Sequence, residues 1–205
     1  MPTTSRPEVA STETLFPRVV APEEEGVEWI PGWLKLGLVW EGPRGVRSAT
    51  EPPEAGLMAT ALTNLRQQSS SDRFYSSKSL PGLRMYLGGD GHAAARALLL
   101  KELLQPWPVG GVLAMMPSAD QLLVMPMDTL SAVSQMPFLA HSGRTAWSVA
   151  HQPVSDQLFW FDGEGWAHVP VEAREDSMEV NPPPEFLLAL RRLAALSLYT
   201  VLPEG

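Results

Sequence analysis

Apolar residues run almost unbroken through Val112–Met116 and again through Leu122–Met125, with Pro117-Ser118-Ala119-Asp120 between them. Proline presets a turn dihedral, and Ser and Asp side chains bond to nearby backbone, so this pattern predicts a β-hairpin. Strands that are apolar at nearly every position are covered on both faces, which puts the hairpin at the centre of a sheet. Trp33–Trp40 reads differently. Leu34, Leu36, Leu38 and Trp40 alternate with Trp33, Lys35, Gly37 and Val39, the pattern of a half-buried strand. Glu41-Gly42-Pro43-Arg44-Gly45 turns it back as Val46–Ala49. Leu15–Val20 and Leu83–Leu87 are two further predicted strands. Gln157–Phe161 and Trp166–Val169 flank Asp162-Gly163-Glu164-Gly165 and predict a second hairpin.

Helical spacing appears between these runs. Leu57 or Met58, Ala61, Leu62 and Leu65 form one apolar stripe, predicting a helix from Glu51 to about Gln68. A second helix is predicted over His92–Leu104 and ends at Pro106-Trp107-Pro108. A third region, Thr129–Val149, begins after Asp128 as N-cap and is predicted to be two pieces rather than one rod, broken by Pro137 and Gly143. A terminal helix, Glu185–Tyr199, follows three prolines, with Phe186 or Leu187, Leu190, Leu193 and Leu196 or Leu198 toward the core. Arg73–Pro81 reads as a loop, and Ala21–Gly26 as an exposed acidic loop. Hairpins tied by tight turns, with helices between them, predict an α+β fold: an antiparallel or mixed central sheet with several helices packed on it. Met1–Thr14, rich in Pro, Ser and Thr, is expected to be a disordered tail, with residues 15–205 as one domain.

Composition narrows the function classes. The chain has 205 residues, 44% of them hydrophobic, enough to bury a core without disulfides. It contains no cysteine, which removes thiolate nucleophiles and Cys-based metal sites and suits a reducing compartment. No signal segment and no apolar window of membrane-spanning length is expected, so the expected setting is the cytoplasm. A net charge of −8 argues against nucleic-acid binding, which needs a positive surface. The charge is uneven. Asp156, Asp162, Glu164, Glu172, Glu175, Asp176, Glu179 and Glu185 face only Arg174 between Gln152 and Glu185. That segment holds nearly all of the excess, and such a patch serves either solubility or the steering of a basic partner.

Chemistry-bearing motifs are few. Gly88-Gly89-Asp90-Gly91 precedes a predicted helix, where exposed amides can hold phosphate, but no Gly-Lys-Ser/Thr follows and Asp90 repels anions. His92, His141, His151 and His168 lack metal-ligand spacing, and no Gly-x-Ser-x-Gly elbow is present. Ser118 and Asp120 fall in a hairpin turn, where both bond to backbone. Asp162 and Glu164 resemble a catalytic carboxylate pair, yet a hairpin tip offers nothing to raise either pKa. No catalytic residue, cofactor or metal is therefore expected. Trp160 and Trp166 stand on a hairpin with two aromatic faces and an acidic rim, a composition of partner-binding surfaces as well as of cores.

Four blocks resemble the uncharacterised bacterial YtpQ-like family. They are Trp33–Thr50, Ala61-Leu62-Thr63-Asn64-Leu65-Arg66, Met115–Val124 and Pro153-Val154-Ser155-Asp156-Gln157-Leu158-Phe159. They occur in the family's order, and the likeness spans roughly Leu15–Phe161. It departs at Ala119, where an Arg is expected, and in the loop Ser69–Pro81. The resemblance implies a fold and carries no catalytic residues with it. The expected function is a non-enzymatic cytoplasmic protein-binding module. Its acidic C-terminal third, through Trp160, Asp162, Glu164, Trp166, Glu172, Glu175 and Asp176, would meet a protein partner with a basic surface, as an immunity or antitoxin-like protein does. The alternative is a small-ligand protein or enzyme with a pocket near Gly88–His92.

Overall fold

The computed structural model describes residues 13–49, 55–173 and 178–199. Within them the chain is an α+β fold of antiparallel sheets and helices, in agreement with the sequence. Strands β1 (Thr14–Val20), β2 (Val27–Ile30), β3 (Leu34–Gly42) and β4 (Gly45–Ser48) form the first sheet. The long β3 is its spine, pairing with β1, β2 and β4. Strand β1 takes in Thr14, and Glu13 beside it receives Arg47 at 2.7 Å and Arg44 at 3.1 Å. The ordered fold thus reaches two residues into the predicted tail, whose first twelve residues lie outside the described residues.

Helix α1 (Ala55–Gln67) follows, and its Asn64 side chain donates to the Leu15 carbonyl at 2.8 Å. Leu15, Leu38 and Ala61 pack between this helix and the first sheet. The predicted loop after α1 contains a short edge strand, β5 (Phe74–Ser76), paired with β6 (Arg84–Leu87). The predicted helix over His92–Leu104 is instead a 3₁₀ segment, Ala94–Leu99, joined to a single α-turn, α2 (Leu100–Leu103). The break falls at Leu99, whose φ/ψ of −110°/9° leaves the helical region.

The apolar hairpin forms β7 (Val112–Ser118) and β8 (Gln121–Pro126). With β9 (Leu158–Phe161) and β10 (Trp166–Val169) they complete a six-stranded sheet in the order β10-β9-β7-β8-β6-β5. The hairpin is central, and all seven residues of β7 are buried. Its side chains alternate between two cores. Val112, Ala114 and Met116 join Phe16, Ile30, Leu34 and Leu100 on the side of the first sheet. Leu113 and Met115 join Leu139, Phe186 and Leu193 on the helical side.

The helices on that side are α3 (Ser131–Ser134), α4 (Met136–Ser148) and α5 (Pro184–Tyr199). Asp128 does not cap α3, which starts after Leu130 without a side-chain cap. Pro137 sits in the first turn of α4, where its missing amide costs nothing. Gly143 does not break α4. The Met115 side chain occupies the space where a Cβ would stand, so this glycine serves close approach rather than termination. A small ribbon, β11 (Val171–Ala173) and β12 (Met178–Val180), lies before α5. Strands of three residues, each with one acid between two apolar positions, are too short to show a period. Among the described residues no helix is long and apolar enough to cross a membrane.

Candidate functional site

The β9–β10 hairpin is built as its sequence suggests. Asp162 Oδ1 accepts the Glu164 and Gly165 amides at 2.7 Å each, and Gly163 takes a φ of +105° that favours glycine. Beside the tip, Trp107 donates its indole N–H to the Asp162 carbonyl at 3.3 Å and meets Phe161 edge-on at 5.5 Å. Phe161 stacks on Trp166 at 4.7 Å, and Trp166 meets Trp29 of the first sheet edge-on at 5.2 Å. One aromatic row therefore crosses from the hairpin to the other sheet.

The predicted site residues separate here. Trp160 lies inside the fold at 4% exposure, its N–H donated to the Gly110 carbonyl at 2.8 Å and its ring edge-on to Phe186 at 5.2 Å. It is a core residue because its face of β9 is covered by the helical side, where Phe186 and Leu193 of α5 join the same cluster. Trp166 is half-buried, while Asp162 and Glu164 are exposed at the tip. Glu172 is exposed on β11, in register with Glu179. Glu175 and Asp176 lie outside the described residues.

Between the hairpin tip, the Trp107–Gly111 segment and α5 lies a cleft of about 420 Å³. Trp107 and the edge of Trp160 are part of its wall, and Val109, Leu188 and Ala189 add apolar surface. Val109 is 63% and Leu188 52% exposed, so large apolar side chains face water at its mouth. Asp162, Glu164 and Glu185 bring carboxylates, and Lys101 and Arg192 bring cations. None of the side chains of Lys101, Glu164, Glu185 and Arg192 forms an ion pair or hydrogen bond with another described residue. Sequence reasoning found the tip but missed the α5 wall. Its signal was the stripe Glu185, Leu188, Ala189, Arg192, spaced i, i+3, i+4, i+7 on the face that flanks buried Phe186 and Leu193.

Gly88–His92 is a structural knot. Asp90 receives Arg96 through both carboxylate oxygens, at 2.6 and 3.0 Å, and also accepts the His92 amide. Arg96 is fully buried, lies over Tyr86 and bonds Ser69 Oγ at 3.0 Å. Burial pushes the Asp90 carboxyl up, but Arg96 and the His92 amide outweigh it and hold it below its ordinary value. Asp120 accepts the Gly91 amide at 2.7 Å, the backbone role expected of a turn aspartate. His92 is buried against Phe16, its Nε2 3.0 Å from Glu41 but off the N–H direction, so neither ring nitrogen is hydrogen-bonded. Among the described residues no three His, Asp or Glu side chains gather where a metal could bind.

Fold and site thus define an α+β protein that presents a charged, apolar-walled cleft beside a hairpin tip. No protein family matches the chain, and no curated protein or solved structure shows significant similarity to it. Val154 and Ser155 donate to the carbonyls of Pro117 and Met116 at 3.0 Å, tying the segment before β9 to the end of β7.

Proposed function

We propose that the chain is a non-enzymatic protein-binding module of the cytoplasm that docks a basic partner at this cleft, in the manner of an immunity or antitoxin-like protein. The observation that carries the reading is the pairing of exposed Val109 and Leu188 with Glu164 and Glu185 at the same cleft, whose carboxylates have no partner among the described residues. An apolar centre inside a polar rim is the anatomy of a protein interface. The charge imbalance of the C-terminal third supports the sign of the partner, since an acidic surface raises encounter rates with a basic one. The same reading leaves the Gly88–His92 loop a structural role, because its carboxylate is already spent on Arg96.

A photo-crosslinking residue at Val109 tests it in cells of the source organism. A single adduct is expected, lost with Leu188→Asp or Glu164→Lys and absent when the crosslinker is moved to Tyr75 on the far edge strand β5. An adduct pattern that ignores the cleft substitutions would overturn the docking site.

A further inference from the structure

The wall that α5 gives to the cleft has a polarity. Glu185, Leu188, Ala189 and Arg192 all line it, and at 1.5 Å per residue the acid and the base stand about 10 Å apart along the helix. Between them the wall is apolar. An acidic end, an apolar middle and a basic end follow one another in a single row, and both end groups lack a partner among the described residues. A uniformly basic ligand leaves Arg192 and Lys101 facing like charge, while a purely apolar one leaves charged groups desolvated without compensation.

From this row we infer that the cleft takes an extended peptide segment of its protein partner with the pattern basic–x–apolar–x–acidic. The inference rests on the protein-docking reading and adds what that partner must carry. Alternate side chains of an extended segment point to one face, so residues i, i+2 and i+4 all turn toward the cleft. Their ends lie about 13 Å apart at 3.3 Å per residue, and the long side chains of Arg192, Glu185 and a peptide lysine take up the difference from the helix spacing. The apolar residue at i+2 falls on Leu188 and Ala189. The volume of about 420 Å³ holds a few side chains rather than a folded domain, so the segment enters while the rest of the partner stays outside. Asp162 and Glu164 at the lip then meet the partner's wider basic surface.

The test is calorimetric titration of the full chain with three blocked pentapeptides. They are acetyl-Lys-Ala-Leu-Ala-Glu-amide and its counterparts with Lys at both ends or Glu at both ends. The mixed peptide is expected to bind at least about tenfold tighter than either uniform one, a difference of one or two charge contacts. In Arg192→Glu the preference is expected to move to the peptide with Lys at both ends, with an unchanged circular dichroism spectrum because Arg192 is exposed. Equal affinity for all three peptides, no binding up to millimolar concentration, or a preference indifferent to Arg192→Glu overturns the inference. If peptides fail while the Val109 adduct still disappears with Leu188→Asp, the docking reading stands and only the segment pattern falls.

Discussion

The rings of Trp33 and His168 stack with 3.9 Å between centroids, joining the β2–β3 turn of one sheet to strand β10 of the other. His168 Nε2 also lies 3.0 Å from Gln157 Oε1. Burial lowers the His168 pKa below its ordinary 6.5, against an opposing pull from Asp156. The folded state therefore takes up this proton less readily than the unfolded chain. Stability linked to His168 is complete above pH 6.5 and declines as the pH falls from there through the folded pKa. Denaturant titrations at pH 7.5 and 5.5 are expected to show a smaller loss in His168→Gln than in the wild type. Equal losses would mean that the stack tolerates the imidazolium.

Arg96 and Asp90 form an ion pair in which the arginine is wholly buried. Arg96→Met leaves a carboxylate at a half-buried site with no cation, and the expected cost is about 3–5 kcal/mol by urea denaturation. The double variant Arg96→Met with Asp90→Ala is expected to recover much of that loss, since an apolar replacement removes both desolvated charges. Because the Asp90 pKa is lowered, the pair's contribution is present at neutral pH and disappears as the pH falls through the folded value, below 3.8. A double variant as unstable as the single one would show that packing, not charge, sets the cost.

Gly111 lines the cleft. It has a φ of +76°, and a Cβ there would fall against the Phe161 carbonyl oxygen and 2.9 Å from Trp160 Nε1. Gly111→Ala is expected to destabilise the fold by about 2 kcal/mol or more, from backbone strain and a contact with backbone that cannot swing aside. Gly45, also at positive φ but in open space, is the control, with a smaller loss expected for Gly45→Ala. The two thermal midpoints decide it, and equal losses would remove the steric part of the argument.

Charge reversal at the cleft separates steering from solubility. Glu164→Lys with Glu185→Lys is expected to slow association with the partner by about tenfold at low salt while changing dissociation much less. The difference should shrink toward 0.15 M salt, where the screening length is about 8 Å. Stopped-flow kinetics at two ionic strengths measures both. An association rate blind to salt and to the substitutions would leave the acidic third a solvated surface.

The strands that the sequence showed best are those with the most buried positions. β7 and β8 were legible because a centre strand needs apolar residues on both faces, and β9–β10 because Asp-Gly-Glu-Gly is a turn in any context. β2, β5 and β11–β12 escaped because three or four residues with a polar side carry no period. Trp160 and Trp166 look alike in sequence, yet one is core and the other half-buried, a distinction set by the docking of α5 against the Trp160 face of β9. The cleft was half legible. Asp162 and Glu164 announce an exposed tip, but Val109 and Leu188 reach it only through the distant docking of α5 on the sheet, which no local pattern encodes.

One strand feeds both cores. Alternate residues of β7 belong to opposite clusters, so unpairing this strand removes packing from both halves of the hydrophobic interior. Amide protons of Val112–Met116 should exchange with solvent only when the whole chain unfolds, whereas those of the edge strands β4 and β5 exchange through local opening. Local opening is therefore expected at the rim of the fold, with β7 the last strand to lose its partners.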